Sequence, residues 1–142
     1  IAFALLFDMN LLFESYVYDY LKKSRKFENI KNQDKKYHLA YENQSGKFAL
    51  KPDIVIDEGK IIVDTKWKIL SLDKSNQGIS QSDMYQLYAY GKKYQNCEKL
   101  YLIYPKDEVE RGNLYHYYED KKLPLKILFF DLENLENNKD LI

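Results

Sequence analysis

Two short β-branched runs, Ile54-Val55-Ile56 and Ile61-Ile62-Val63, are the densest apolar segments of the central chain. Runs of this composition belong to strands buried on both faces. Asp57-Glu58-Gly59-Lys60 separates them, and Gly59 can supply the positive φ of a tight turn. The pattern predicts a β-hairpin from about Phe48 to Lys68. With Glu58-Gly59 as a two-residue loop, Asp57 pairs with Lys60 and Ile56 with Ile61. A four-residue loop keeps that register, whereas a three-residue loop shifts it by one and moves every side chain to the other face.

Helical periodicity frames this hairpin. Leu12, Phe13, Tyr16, Val17, Tyr20 and Leu21 form a broad apolar face and predict a helix from about Asp8 to Lys26, capped by Asp8 or Asn10. Glu14 lies beside that face. A second helix is predicted from Ser80 or Ser82 to about Tyr94, with Met84, Leu87 and Tyr88 as core positions. Gln86 and Tyr90 are four apart on it and share a face. Tyr37–Glu42 alternates weakly as a strand, before a turn at Asn43-Gln44-Ser45-Gly46. Residues Ser71–Ser80 read as a polar loop and the best candidate for mobility near the site. Strands are expected at Leu100–Tyr104, Leu114–Tyr118 and Leu125–Asp131, with a charged turn at Asp107–Gly112. The sum is one α/β domain with a central mixed β-sheet flanked by helices, covering residues 1–142.

The predicted register has a chemical consequence. It sets Asp53 opposite Asp64, at the roughly 4.5–5.5 Å Cβ spacing of directly paired residues. Lys66, two residues beyond Asp64, points to the same face. Two carboxylates so close repel unless a cation separates them. Hard oxygen ligands in small number suit Mg²⁺, with Mn²⁺ as substitute, and such a site accepts phosphate oxygens. Lys66 can orient or help deprotonate an attacking water, or stabilise the pentavalent charge. The same trio is also compatible with surface acids and a salt bridge. Apolar flanks and Pro52 favour function, because charges inside apolar strands are costly unless paired or ligated.

Composition sets bounds. The 142 residues are 45% apolar and 31% charged, with zero formal net charge. No global basic field argues for nucleic acid, so a nuclease with this balance must segregate its charge. Lys22, Lys23, Arg25, Lys26, Lys31, Lys35 and Lys36 stand against only Glu28 and Asp34 in one stretch, which can touch phosphates or simply be solvated. The tail from Asp131 is acidic. Cys97 is the single cysteine, which rules out an internal disulfide and argues against a zinc cluster. His38 and His116 share no ligand spacing. No run of about 18 apolar residues exists to cross a membrane. Residues Ile1–Phe7 lack a basic leader, and a chain opening on Ile reads as part of something longer. The expected compartment is the cytoplasm.

Several motifs carry a family resemblance. Pro52-Asp53, ten residues, then Asp64-Thr65-Lys66 resembles the PD-(D/E)xK nuclease motif. Gln86-Leu87-Tyr88-Ala89-Tyr90 resembles the QxxxY motif of RecB-like members. Phe7-Asp8-Met9-Asn10 with Leu12-Phe13-Glu14, Asp64–Lys68 and Asp83–Tyr90 resemble the nuclease region of McrC-type restriction subunits. The resemblance spans roughly residues 3–104. It implies a restriction-endonuclease-like fold. It implies Asp53, Asp64 and the Thr65 backbone carbonyl as metal ligands, Lys66 as catalytic lysine, and Glu14 as the helical acid completing the site. Gln86 and Tyr90 would position a nucleic-acid strand or the lysine, and Lys68 would contact DNA. McrC-type subunits cut modified double-stranded DNA together with a GTP-driven AAA+ partner.

Three functions follow. The first is a Mg²⁺-dependent DNA endonuclease domain of a modification-dependent restriction system. The second is a RecB-like exonuclease or another restriction nuclease of the same fold. The third is a catalytically silent DNA-binding or assembly module. Glu14 is also open to a plainer reading as a solvent-facing acid favoured by the helix dipole.

Overall fold

The structure, a computed structural model, describes residues 8–111, 114–118 and 123–142. The expected leader-free segment Ile1–Phe7 and Gly112 of the charged turn lie outside them. In chain order the elements are α1 (Met9–Lys23), β1 (Ile30–Asn32), β2 (His38–Glu42), β3 (Ser45–Ala49), β4 (Ile54–Ile56), β5 (Ile61–Thr65), α2 (Gln81–Lys93), β6 (Lys99–Pro105), β7 (Leu114–Tyr118) and β8 (Leu123–Phe130). A six-stranded sheet runs β1-β4-β5-β6-β8-β7, and β2 and β3 pair only with each other. β5, β6 and β8 are parallel neighbours, while the remaining pairs of the large sheet are antiparallel. The sheet is mixed, as expected.

Alternation along the buried strands divides the core. Ile54, Ile56, Val63 and Ile103 pack with Phe13, Val17 and Leu21 of α1 on one face. Val55, Ile62, Leu102 and Tyr104 pack with Leu87 and Tyr90 of α2, and with Tyr94 just after it, on the other. Each strand is therefore apolar on both faces, which is why these runs show no polar alternation. α2 is the crossover between the parallel strands β5 and β6. The carboxyl end of β5 thus opens into the crevice where α/β folds bind ligands.

The central hairpin has the expected register, with Ile54 paired to Val63, Val55 to Ile62 and Ile56 to Ile61. Its connection is the four-residue form, tightened by a short 3₁₀ turn at Asp57–Gly59. Asp57, Glu58 and Gly59 take φ of 49°, 57° and 104° in succession. Lys60 N–H closes the turn on Asp57 O at 3.2 Å.

Other boundaries move for local reasons. α1 stops at Lys23 rather than Lys26, because Arg25 turns to φ 56°. Ser45, Gly46 and Phe48 belong to β3, so the turn is Asn43-Gln44 alone and the central hairpin starts later than Phe48. Pro105 closes β6 from within. Tyr88, expected in the core, lies at the surface against Tyr118. β1 was not expected, since one apolar residue in three gives no pattern; its edge position explains why it needs none.

The turn fixes the register, so Gly59 is its sensitive point. A Cβ there would sit 2.6 Å from the Tyr94 ring at a φ of +104°. Gly59→Ala is expected to lower stability by about 1–3 kcal/mol. Urea unfolding checks this, and an unchanged midpoint would show the turn to be compliant.

Candidate active site

The register brings the first two candidates together. Asp53 lies just before β4 and Asp64 near the end of β5. Asp53 N–H donates to Asp64 Oδ1 at 3.1 Å, and Thr65 donates both N–H and Oγ–H to Asp53 Oδ2, at 2.7 and 3.0 Å. The two carboxylates are thereby locked to each other's backbone. Asp64 is only 2% exposed. Burial, then the Asp53 charge, raises its pKa well above the usual carboxylate range. Burial also raises Asp53, opposed by the Thr65 hydrogen bonds and by Lys66.

Glu14 joins them from the other side of the sheet. It reaches Asp53 because Asp53 lies at the strand's edge rather than inside it. Glu14 is 8% exposed, and no acid occupies the first turn of α1. The reading of Glu14 as a solvated first-turn acid is therefore wrong. Gln33 Nε2 donates to Glu14 Oε1. Burial, reinforced by Asp53, pushes the Glu14 carboxyl up to about 7. α1 is itself tied to the site, since Asp8 caps it through Leu11 N–H at 3.1 Å and Asn10 Oδ1 accepts from Trp67 N–H at 3.1 Å.

Lys66 follows β5 immediately, and its charge favours the ionised forms of Asp53 and Asp64. Its ammonium lies 3.5 Å from Asp83 Oδ1, in the first turn of α2. Asp83 was not among the expected site residues. Its sequence signal was the Asp83-x-x-Gln86 spacing, which places it one turn before the motif glutamine.

Gln86 and Tyr90 separate despite their shared face. Gln86 is exposed, whereas Tyr90 is 1% exposed. Of the two roles expected for Tyr90, positioning a nucleic-acid strand or the lysine, its burial leaves no exposed surface for the first. Its hydroxyl has no hydrogen-bond partner, and burial, then the Asp64 and Asp53 charges, raises its pKa. It forms the floor of the site. Tyr104 is a second buried phenol without a partner, raised by burial and then by Asp83. Lys68 is exposed, and its ammonium donates to Gly78 O, bracing the loop before α2.

The donors fit a hard divalent cation. They are carboxylates without cysteine or histidine, and the acids are crowded beyond what Lys66 alone offsets. Among the described residues no three histidine, cysteine or acidic side chains already gather into a cage. A cation with few protein ligands that retains several waters matches this better than a fully caged one. His38 and His116 lie in β2 and β7, away from the acids in sequence and unrelated by spacing. Cys97 is half-buried.

These acids make stability depend on pH. Their folded-state pKa values are raised, so the folded state holds more protons than the unfolded one. Without a cation, the Glu14 contribution is fully present below pH about 4.5 and is lost as pH rises through about 7. Melting in EDTA should therefore weaken over that window. Added Mn²⁺ or Mg²⁺ should raise the melting temperature more at pH near 8 than near 5. Equal cation shifts at both values would contradict the acid cluster as the binding site.

The family model described as McrBC 5-methylcytosine restriction system component matches residues 1–105. No curated protein matches the chain. A chain of the refined half-complex from the tetradecameric assembly of Thermococcus gammatolerans McrB AAA+ hexamers with bound McrC is similar in structure. The TM-score is 0.68 at 18% identity, over 98% of this chain and 31% of that one. The present chain thus spans less than a third of that relative's length. The likeness supports the restriction-endonuclease-like fold, with its mixed sheet between helices. Among the described residues, no helix is long and apolar enough to cross a membrane. In agreement with the McrC-type motifs of its sequence, the chain belongs to the McrBC 5-methylcytosine restriction system component family.

Proposed function

We propose that this chain is the Mg²⁺-dependent endonuclease domain of a McrC-type subunit, hydrolysing phosphodiester bonds of modified double-stranded DNA. The observation that carries this reading is the locked Asp53–Asp64 pair beside Lys66 at the carboxyl end of β5. Asp53, Asp64, the Thr65 carbonyl and Glu14 are the residues that would hold the cation. A Mg²⁺ ion held there would supply Lewis-acid charge stabilisation and would ease deprotonation of water.

The chain's own groups supply the rest. Lys66 places a positive charge beside the carboxylates, where negative charge would develop on the phosphoryl oxygens. Asp83 positions that ammonium, because its carboxylate is the Lys66 ion-pair partner. Glu14, pushed up to about 7 by burial, can hold or give up a proton beside Asp53 near neutrality. Tyr90 closes the floor under the carboxylates. Gln86 and Lys68 lie exposed at the rim, where a DNA strand would pass. In the relative's complex McrC is bound to McrB AAA+ hexamers, and the proposed partner here is likewise a GTP-dependent AAA+ subunit.

Closed circular methylated DNA tests the reading, using the intact protein with its AAA+ partner and GTP. Asp64→Asn should reduce cutting at least about 100-fold. It should also raise the melting temperature in EDTA, because it removes a buried charge facing Asp53. Undiminished cutting would overturn the assignment, and cutting confined to linear DNA would favour an exonuclease. Asp83→Asn should lower turnover about tenfold, or roughly 1.4 kcal/mol of barrier, with substrate affinity unchanged. In a Lys66→Met background it should do nothing further. Additive losses would show that Asp83 does not act through Lys66.

A further inference from the structure

We propose that the β2–β3 ribbon is the element this domain lays into a groove of duplex DNA. The inference rests on the nuclease reading and adds the surface that holds the substrate. The ribbon pairs with no other strand. Yet it springs from the site itself. Gln33 N–H donates to Asp53 O at 3.0 Å, closing its base, and Leu50 N–H donates to Tyr37 O at 2.8 Å just above. Gln33 also holds Glu14 through its side chain. Whatever the ribbon grips is therefore fixed relative to the acids.

Its surface combines apolar groups with positive charge. Phe48 is 76% exposed, Tyr41 64% and Leu39 55%. Between residues 35 and 51 the chain carries Lys35, Lys36, Lys47 and Lys51 against the single acid Glu42. All four lysines are exposed; Lys35, Lys36 and Lys51 flank the ribbon's base, and Lys47 stands on β3 with its ammonium 3.8 Å from Glu42. This is the local basic field that a chain of zero net charge needs in order to meet phosphates. The core of a protein-binding patch is instead depleted in lysine.

Three backbone positions of the ribbon take positive φ. The tip turn holds Asn43 and Gln44 at φ 48° and 68°, the left-handed pair for which Asn-Gly is preferred. Phe48 sits at φ 55°, a rare state for a bulky aromatic. The tip pair is what a two-residue hairpin turn requires, whereas the exposed Phe48 takes its positive φ within a strand. Strain at Phe48 without a structural return points to a function.

The dimensions agree. Five-residue strands reach about 17 Å. The major groove is about 12 Å wide and admits a two-stranded ribbon. The lysines would then flank phosphates, while Asn43, Gln44 and Phe48 face base edges.

Glycine variants test this without unfolding the ribbon. Phe48→Gly and Gln44→Gly relieve the positive φ and should leave the melting temperature unchanged or higher. In the intact Asp64→Asn protein with Mg²⁺, fluorescence anisotropy on a fluorescein-labelled duplex reads binding without cleavage. Each glycine variant should weaken binding about tenfold. Lys35, Lys36 and Lys47 changed together to Ala should flatten the salt dependence by about 0.9 for each phosphate no longer neutralised. Unchanged duplex affinity and salt slope would overturn the proposal. So would unchanged duplex affinity with weakened association to the AAA+ partner or to a second copy, which would make the ribbon a protein interface. Equal cutting by the parent and Asp64→Asn would sink the nuclease reading alone, because the binding measurement does not depend on cleavage.

Discussion

The mutual clasp of Asp53 and Asp64 is the constraint on which this structure turns. Each carboxylate accepts a backbone N–H from the partner's segment, Asp64 from Asp53 and Asp53 from Thr65. These bonds can form only in one register of β4 against β5. A slip of one residue would send Asp64 toward α1 and leave a buried charge among Phe13 and Val17. The three consecutive left-handed residues of the Asp57–Gly59 turn therefore serve the site at the hairpin's far end. Strain at one end is tolerated because it fixes two acids at the other.

Both helices are recruited to the same purpose. α1 brings Glu14 to the edge of the sheet and holds the segment after Lys66 through Asn10 and Trp67. Phe13 backs this with its ring 5.6 Å from Trp67. α2 brings Asp83 to Lys66 and seals the floor with Tyr90. The acids thus meet from opposite faces of one sheet, which is possible only where a strand begins or ends. The buried, unpartnered hydroxyls of Tyr90 and Tyr104 mark this crevice as a place where the core is not fully satisfied on its own. Such groups are uncommon in finished interiors and common where a ligand or water completes the site.

The fold was legible where pattern and chemistry coincided. β-branched runs of equal length, separated by a four-residue polar link, encoded the register, and the register encoded the acid pair. Asp8 or Asn10 and Ser80 or Ser82 marked the two helix starts, and the observed caps are Asp8 and Ser80. Legibility failed where burial depends on the distant chain. Gln86 and Tyr90 are equivalent by periodicity, but the sheet covers only the latter half of α2, so one is exposed and the other sealed. Tyr88 lies within that half but on the face turned away from the buried stripe of Leu87, Tyr90 and Gly91. β1 was invisible because an edge strand borrows its hydrogen bonds from β4 and needs little hydrophobicity of its own. Asp83 was hidden because an acid in a first helical turn is expected on dipole grounds alone. Only the position of Lys66 in space reveals the second role.

Charge gives the last step. Glu14, Asp53, Asp64 and Asp83 concentrate negative charge at the point where a phosphodiester would have to sit, with Lys66 as the cation placed among them. Bare, this site repels DNA. A divalent cation cancels that repulsion locally, within the few ångströms where Coulomb energies are large. It does not supply grip along a duplex, since screening removes its influence beyond about 8–10 Å. The grip must come from positive charge carried farther out. On the proposed reading, Lys47 of the ribbon and Lys35, Lys36 and Lys51 at its base, which is hydrogen-bonded to Asp53 itself, would meet that requirement. Zero net charge would then conceal a local separation, with acids gathered where a cation would bind and lysines farther out where a polyanion would.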